Sequence, residues 1–231
     1  NCIYRQQISE FESKISAMSQ RQYNQLDKFI IKFDEALVAR FTQSTLSKRP
    51  NPASDSVKAR FDEKEKRVSQ GLMRVNHAGE VSAQALYQGQ SLTARSHSVK
   101  ISMQQAADEE MDHLNWCKQR LDELETHPSY LTPLWYLGSF SIGALAGGLG
   151  DKWSLGFVAE TEHQVVEHLC SHIEKLPEHD EKSRAILEQM KIDESHHASM
   201  AIESGAVELP APIRKLMKLS SLVLTTTAYW I

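Results

Sequence analysis

From Asp55 to Ser204 the apolar residues recur at helical spacing in four long stretches. Nowhere does a run of β-branched residues alternate with polar ones, so the pattern leaves no strand to build a sheet from. The stretches are expected at about 55–96, 98–125, 151–176 and 178–204, with breaks at His127-Pro128, Pro177 and Gly205. The first opens in a charged run, DSVKARFDEKEKR (55–67), read as a solvated beginning of helix.

Two of the three joints are short, and the second is a long crossover. Four helices of roughly 25–30 residues joined this way predict an all-α, ferritin-like four-helix bundle. The crossover, YLTPLWYLGSFSIGALAGGLG (130–150), contains no charged residue and five of the ten glycines. As a helix it would reach about 30 Å, the thickness of a bilayer core. Pro133 and the glycines favour a helix buried against others, or embedded in an interface, over one that spans. The last stretch, LPAPIRKLMKLSSLVLTTTAYWI (209–231), places Arg214, Lys215 and Lys218 before an uncharged run ending in Tyr229 and Trp230. Basic residues followed by apolar ones suit a helix lying on a membrane surface, and equally a fifth helix packed on the bundle.

Residues 1–54 are expected to form an N-terminal extension and 55–231 the bundle domain. The first 17 residues lack the apolar run of a signal peptide and read as an extension without a function of its own. Phe29, Ile30, Phe33, Leu37 and Phe41 predict a short amphipathic helix over 27–41. Residues 42–56 (TQSTLSKRPNPASDS) read as a linker, being polar, proline-containing and aperiodic. With 26 Lys+Arg against 30 Asp+Glu the net charge is −4, which disfavours a nucleic-acid binder. Three cysteines without a CxxC pair exclude a disulfide scaffold and a zinc ribbon.

The chemistry lies in the spacing of carboxylates and histidines. In a helix, Glu-x-x-His places both side chains on one face, where they can ligate one metal ion. Three such pairs occur: Glu110–His113, Glu160–His163 and Glu194–His197. Chance alone supplies about one in a chain of this composition, so their arrangement matters more than their number. Glu80 lies 30 residues before Glu110, and Glu162 lies 32 before Glu194, each on the apolar stripe of the preceding helix. The chain thus repeats one unit, a lone Glu on one helix and Glu-x-x-His on the next. Two such hairpins folded together bring Glu80, Glu110, His113, Glu162, Glu194 and His197 to one level, the ligand set of a di-iron or di-manganese site. Glu160–His163 points off that stripe and is the chance match. Asp193 and Glu109, each beside a ligand Glu, are candidates to accept a hydrogen bond from a ligand imidazole. His168 and Tyr87 are further candidates near the site.

The segments LMRVNHAGEVSAQALYQGQ (72–90), EEMDH (109–113), VAETEHQVVEHL (158–169) and DESHHASM (193–200) resemble the bacterial 5-demethoxyubiquinone hydroxylases of ubiquinone biosynthesis. The resemblance runs from about residue 70 to 231, and RVNHAGE is its most specific part. It implies that the same six residues hold two iron ions. It implies a monooxygenase that adds one atom of dioxygen to a polyprenylated methoxy-benzoquinol, with NADH as ultimate reductant. It also implies peripheral attachment to the cytoplasmic face of the bacterial inner membrane, with a biosynthetic complex and a homo-oligomer as partners. The alternatives are other ferritin-like di-metal proteins: a tRNA-modifying monooxygenase, a manganese catalase or an iron store. No GxGxxG follows a strand, so a Rossmann nicotinamide site is not expected.

Overall fold

The structure, a computed structural model, describes Asn24, Asp27, Ile30, Ile31 and residues 49–56 and 59–231. The chain divides into two units, 1–35 and 36–231. In the first, Asp27, Ile30 and Ile31 are helical. Asn24 and Asp27 exchange side-chain-to-backbone hydrogen bonds of 2.8 and 3.1 Å, as at a helix start. The rest of the helix expected over 27–41, with residues 1–17 and 42–48, lies outside the described residues.

The described residues of the second unit form six helices: α1 (Glu63–Thr93), α2 (His97–Glu123), α3 (Thr132–Gly148), α4 (Asp151–Lys175), α5 (Glu181–Glu203) and α6 (Ala211–Trp230). No strand occurs among the described residues. α1 and α2 form one hairpin, α4 and α5 the other, and the two pack α1 on α4 and α2 on α5. The long crossover holds α3. This is an all-α four-helix bundle with one long crossover connection, as the periodicity predicts.

Two helix starts correct the sequence reading. In the charged run, residues 55–56 and 59–62 are not helix, because Asp62 caps α1 by a reciprocal box with Glu65 (2.8 and 2.9 Å) that fixes the first turn at Glu63. Likewise α5 begins at Glu181 rather than 178, since the Asp180 carboxylate accepts from the Ser183 N–H. Ahead of α1, residues 49–56 lie along α2: Asn51 Nδ2 donates to Gln119 Oε1 (2.8 Å), and Ala53 is buried in the core beside Trp116 and Leu121.

α3 packs along α1 so closely that a Cβ at Gly143 would strike the Leu86 carbonyl, and one at Gly89 the Phe140 carbonyl. The crossover is therefore a packed helix, and no described helix is long and apolar enough to cross a membrane. α3's outer side is apolar as well, with Leu134 and Leu145 59% and 72% exposed. α6 packs on the bundle along one side and keeps an exposed apolar side. Ala228 and Leu224 pack on Val75 and Ala78 of α1, and Arg74 donates to the Tyr229 carbonyl (2.7 Å). Leu216, Leu219, Leu222 and Val223 face outward.

Two apolar layers fill the bundle. One joins Met73, Cys117, Leu121, Leu169, Ile186 and Met190. The other joins Tyr87, Met103, Leu155, Val158 and Ala201. In every helix of the bundle the acidic positions fall between the two layers, so the helices' own registers place Glu80, Glu110, Glu162 and Glu194 at one level.

Candidate metal centre

Each carboxylate of this level stands on a stripe that is otherwise apolar, and all four are buried, none more than 4% exposed. Their oxygens and two imidazole nitrogens make two overlapping groups, Glu80–Glu110–His113–Glu194 and Glu110–Glu162–Glu194–His197, each with ligand atoms within 4.8 Å of one another. Glu110 and Glu194 belong to both. Glu194 straddles the centre, with Oε1 2.9 Å from His113 Nδ1 and Oε2 2.9 Å from His197 Nδ1. Glu110 does the same at 3.3 and 3.7 Å. Each half thus has one carboxylate and one imidazole of its own and shares two carboxylates with the other.

The outward nitrogens are crossed between hairpins. His113 Nε2 on α2 meets Asp193 Oδ2 on α5 at 2.9 Å, and His197 Nε2 on α5 meets Glu109 Oε2 on α2 at 2.6 Å. Each imidazole donating outward to a carboxylate turns its Nδ1 to the centre, where loss of the Nδ1 proton would free a lone pair for a metal ion. The structure therefore brings Asp193 and Glu109 to the positions expected from their sequence neighbours. Glu160 instead takes a hydrogen bond from Gln164 (2.6 Å) and lies outside both groups. Tyr87 also stays apart. It stands two turns along α1 from Glu80, buried in the apolar layer with its hydroxyl unpartnered. His168 lines a cavity that reaches Glu80, Glu162 and Glu194.

The electrostatics are compatible with a site for cations. Burial, reinforced by Glu110, pushes Glu80 well above the usual carboxylate range, and burial with Glu194 does the same to Glu162. Burial opposes charging His113, yet Glu194, Asp193 and Glu110 outweigh it and hold the imidazole well above its ordinary pKa. His197, against the same burial, is raised to about 10 by Glu194, Glu110 and Glu162. Buried oxygens of Glu80, Glu110 and Glu162 have no hydrogen-bond partner. Buried carboxylate oxygens without a hydrogen bond are costly, and a pair of divalent cations at their centre would satisfy them. Carboxylate oxygen with imidazole nitrogen is a donor set for iron or manganese.

One residue at the site was not legible in the sequence. Arg49, in the stretch read as linker, places Nε 3.0 Å from Asp112 Oδ2 and Nη1 2.9 Å from Asp193 Oδ2. Its guanidinium lies 4.8 Å over the Trp116 ring. A basic residue beside prolines, where the chain is stiff, is the one local signal it offered.

The profile of the family described as "Ubiquinone biosynthesis protein COQ7" matches residues 67–228. The chain belongs to the COQ7 family. It is similar to the 3-demethoxyubiquinol 3-hydroxylase of Nitrosococcus oceani, at 58% identity over 214 residues, covering 93% of this chain and 100% of that one. The enzyme of the same name from Polynucleobacter asymbioticus is 52% identical over 205 residues, covering 88% and 98%. Among solved structures, a bacterioferritin-related protein of Bacteroides fragilis overlaps 59% of this chain and 84% of its own at a TM-score of 0.48 and 16% identity. The COQ7 match runs from Arg67 in α1 to Ala228 in α6, so the two helices with exposed apolar sides, α3 and α6, fall within the family's extent along with the site.

Proposed function

We propose that this chain is a di-iron monooxygenase that hydroxylates the ring of a demethoxyubiquinol in ubiquinone biosynthesis. The observation that carries the reading is a cavity of about 590 Å³ between α1, α3, α4 and α6, with Glu80, Glu162 and Glu194 at its inner end. Its walls are mainly apolar side chains such as Leu86, Ile142, Val165 and Leu224. Gly79 and Gly138 line it where a Cβ would meet nothing within 4 Å, so their lack of a side chain keeps the passage wide. A quinol ring with an isoprenoid tail fits such a passage, ring inward and tail outward.

Glu80, Glu110, His113, Glu162, Glu194 and His197 would hold two iron ions. Iron so held supplies the activation of dioxygen, from which one atom enters the ring and the other leaves as water, with electrons drawn ultimately from NADH. The protein's own residues do the rest. The apolar walls exclude bulk water from the inner end. His168 Nε2 is buried without a partner, and burial with Lys175 lowers its pKa to about 4. A neutral imidazole there can donate to or accept from a ring oxygen and orient the ring. Asp193 and Glu109 fix the tautomers of His113 and His197.

The outward leucines of α3 and α6 flank this passage, with Lys215 and Lys218 among those of α6. That pattern suits a helix pair resting on an anionic bilayer at the cytoplasmic face of the inner membrane, from which a lipid-soluble substrate enters sideways. The test is complementation of a bacterial strain lacking its demethoxyubiquinol hydroxylase. The chain should restore ubiquinone, and Glu194→Ala should leave the demethoxy compound accumulating. Ubiquinone restored equally by Glu194→Ala would overturn the reading.

A further inference from the structure

The two halves of the centre match in their ligands but not in what stands behind them. Behind His197, Glu109 is 57% exposed on its side chain and takes no second partner among the described residues. Behind His113, Asp193 is gripped from three sides. It accepts from His113 Nε2 (2.9 Å), from Gln189 Nε2 (3.0 Å) and from Arg49 Nη1 (2.9 Å). Arg49 also reaches Asp112, and its Nη2 stands 3.2 Å from His113 Nε2 itself. The guanidinium is held in place by more than these ions. It lies on Trp116, and the chain beyond it is pinned by Asn51 to Gln119 and by buried Ala53.

We propose that Arg49 is a positioning residue that makes the two metal positions electronically unequal, raising the reduction potential of the metal bound through His113. The proposal rests on the two-iron reading above. Two effects act in one direction. A fixed positive charge beside a metal favours its lower oxidation state. By sharing Asp193, the guanidinium also makes that carboxylate a weaker acceptor from His113 Nε2–H, so the imidazole gives less electron density to the metal. Glu109 has no such competitor and leaves His197 the stronger donor. A segment before the bundle domain thereby tunes a centre assembled entirely from the bundle.

The experiment is an anaerobic redox titration of the iron-loaded full chain, wild type against Arg49→Gln, Arg49→Lys and Glu109→Gln, with iron content measured on each. Arg49→Gln should still bind two irons and shift one of the two one-electron steps to more negative potential. The expected size is about tenfold in that step's equilibrium constant, or about 59 mV. Arg49→Lys keeps the charge but cannot span both carboxylates, so its shift should be smaller and of the same sign. Glu109→Gln, which removes a negative charge, should shift a step the opposite way. Unchanged or more positive potentials in the Arg49 variants, with two irons bound, overturn the proposal. Should Arg49→Gln not fold, Arg49→Lys decides alone, a negative shift supporting the proposal and none overturning it. A wild-type chain that takes up no pair of irons overturns the two-iron reading itself, and the proposal with it.

Discussion

His197 Nε2 on α5 sits 2.6 Å from Glu109 Oε2 on α2, while the residue before its own partner Glu194 serves the imidazole of α2 in return. Each hairpin thus orients the histidine of the other, and the site cannot form within either hairpin alone. If those contacts fix the imidazoles, Asp193→Asn and Glu109→Gln should each weaken metal binding by about 10–100-fold. Competition with a chelator of known affinity measures this. Affinities equal to wild type would show that the outer carboxylates are idle.

Burial and Glu194 hold Glu162 well above the normal carboxylate range, so its folded pKa lies above its unfolded one. Such a group costs stability, and the cost grows as pH rises above the unfolded pKa. Glu162→Gln should therefore raise the melting temperature of the metal-free protein at pH 7, by about 2–4 °C for each kcal/mol relieved. The same change should remove most of the stabilisation that added metal gives. Calorimetry with and without metal reads both effects, and a lower metal-free melting temperature would contradict the first.

His172 is buried with Nδ1 2.9 Å from Asn76 Oδ1, and burial, with His168 and Lys175, lowers its pKa to about 2. It stays neutral when folded and titrates near 6.5 when unfolded. Its contribution is complete above pH 6.5 and erodes as pH falls through the window from 6.5 toward 2, at about 1.4 kcal/mol per unit. In urea unfolding, moving from pH 7 to pH 5 should cost wild type about 2 kcal/mol more than it costs His172→Gln. Equal losses would show that His172 is not what acid attacks.

Gly138 faces the cavity with open space where a side chain would stand. Gly138→Leu should fill the passage, leave metal binding intact and lower kcat/KM for a long-tailed quinol by at least about tenfold. Unchanged turnover would place the substrate's route elsewhere.

Below the level of the four glutamates, Arg120 meets Asp180 at 2.7 Å with both side chains buried, and Ser69, Ser183 and Glu123 complete the network. Asp180→Ala would leave the guanidinium only Glu123 and Ser183 and would uncap α5, costing about 2–3 kcal/mol by urea unfolding. A loss under about 1 kcal/mol would contradict that role.

What was legible in the sequence is what helical repetition encodes. Glu80, Glu110, His113, Glu162, Glu194 and His197 repeat one spacing on four apolar stripes, and a stripe's register carries through the fold. Helix starts were less legible, since the charges of 55–62 suit a helix interior well and only the Asp62–Glu65 box decides where the turn closes. Arg49 was illegible because its partner Asp112 is 63 residues away and no periodicity links a proline-bounded segment to a helix face. α6 could be read two ways because its apolar residues face two sides, Ala228 inward and Leu216 outward.

The most direct measurement is the metal content of the purified, iron-reconstituted full chain beside its Glu110→Ala variant. Glu110 belongs to both ligand groups, so its loss should damage both positions together. Two irons per chain in the wild type, and fewer than one in the variant, is the predicted result. Two irons retained without Glu110, or none bound by the wild type, would contradict a centre enclosed by these six side chains.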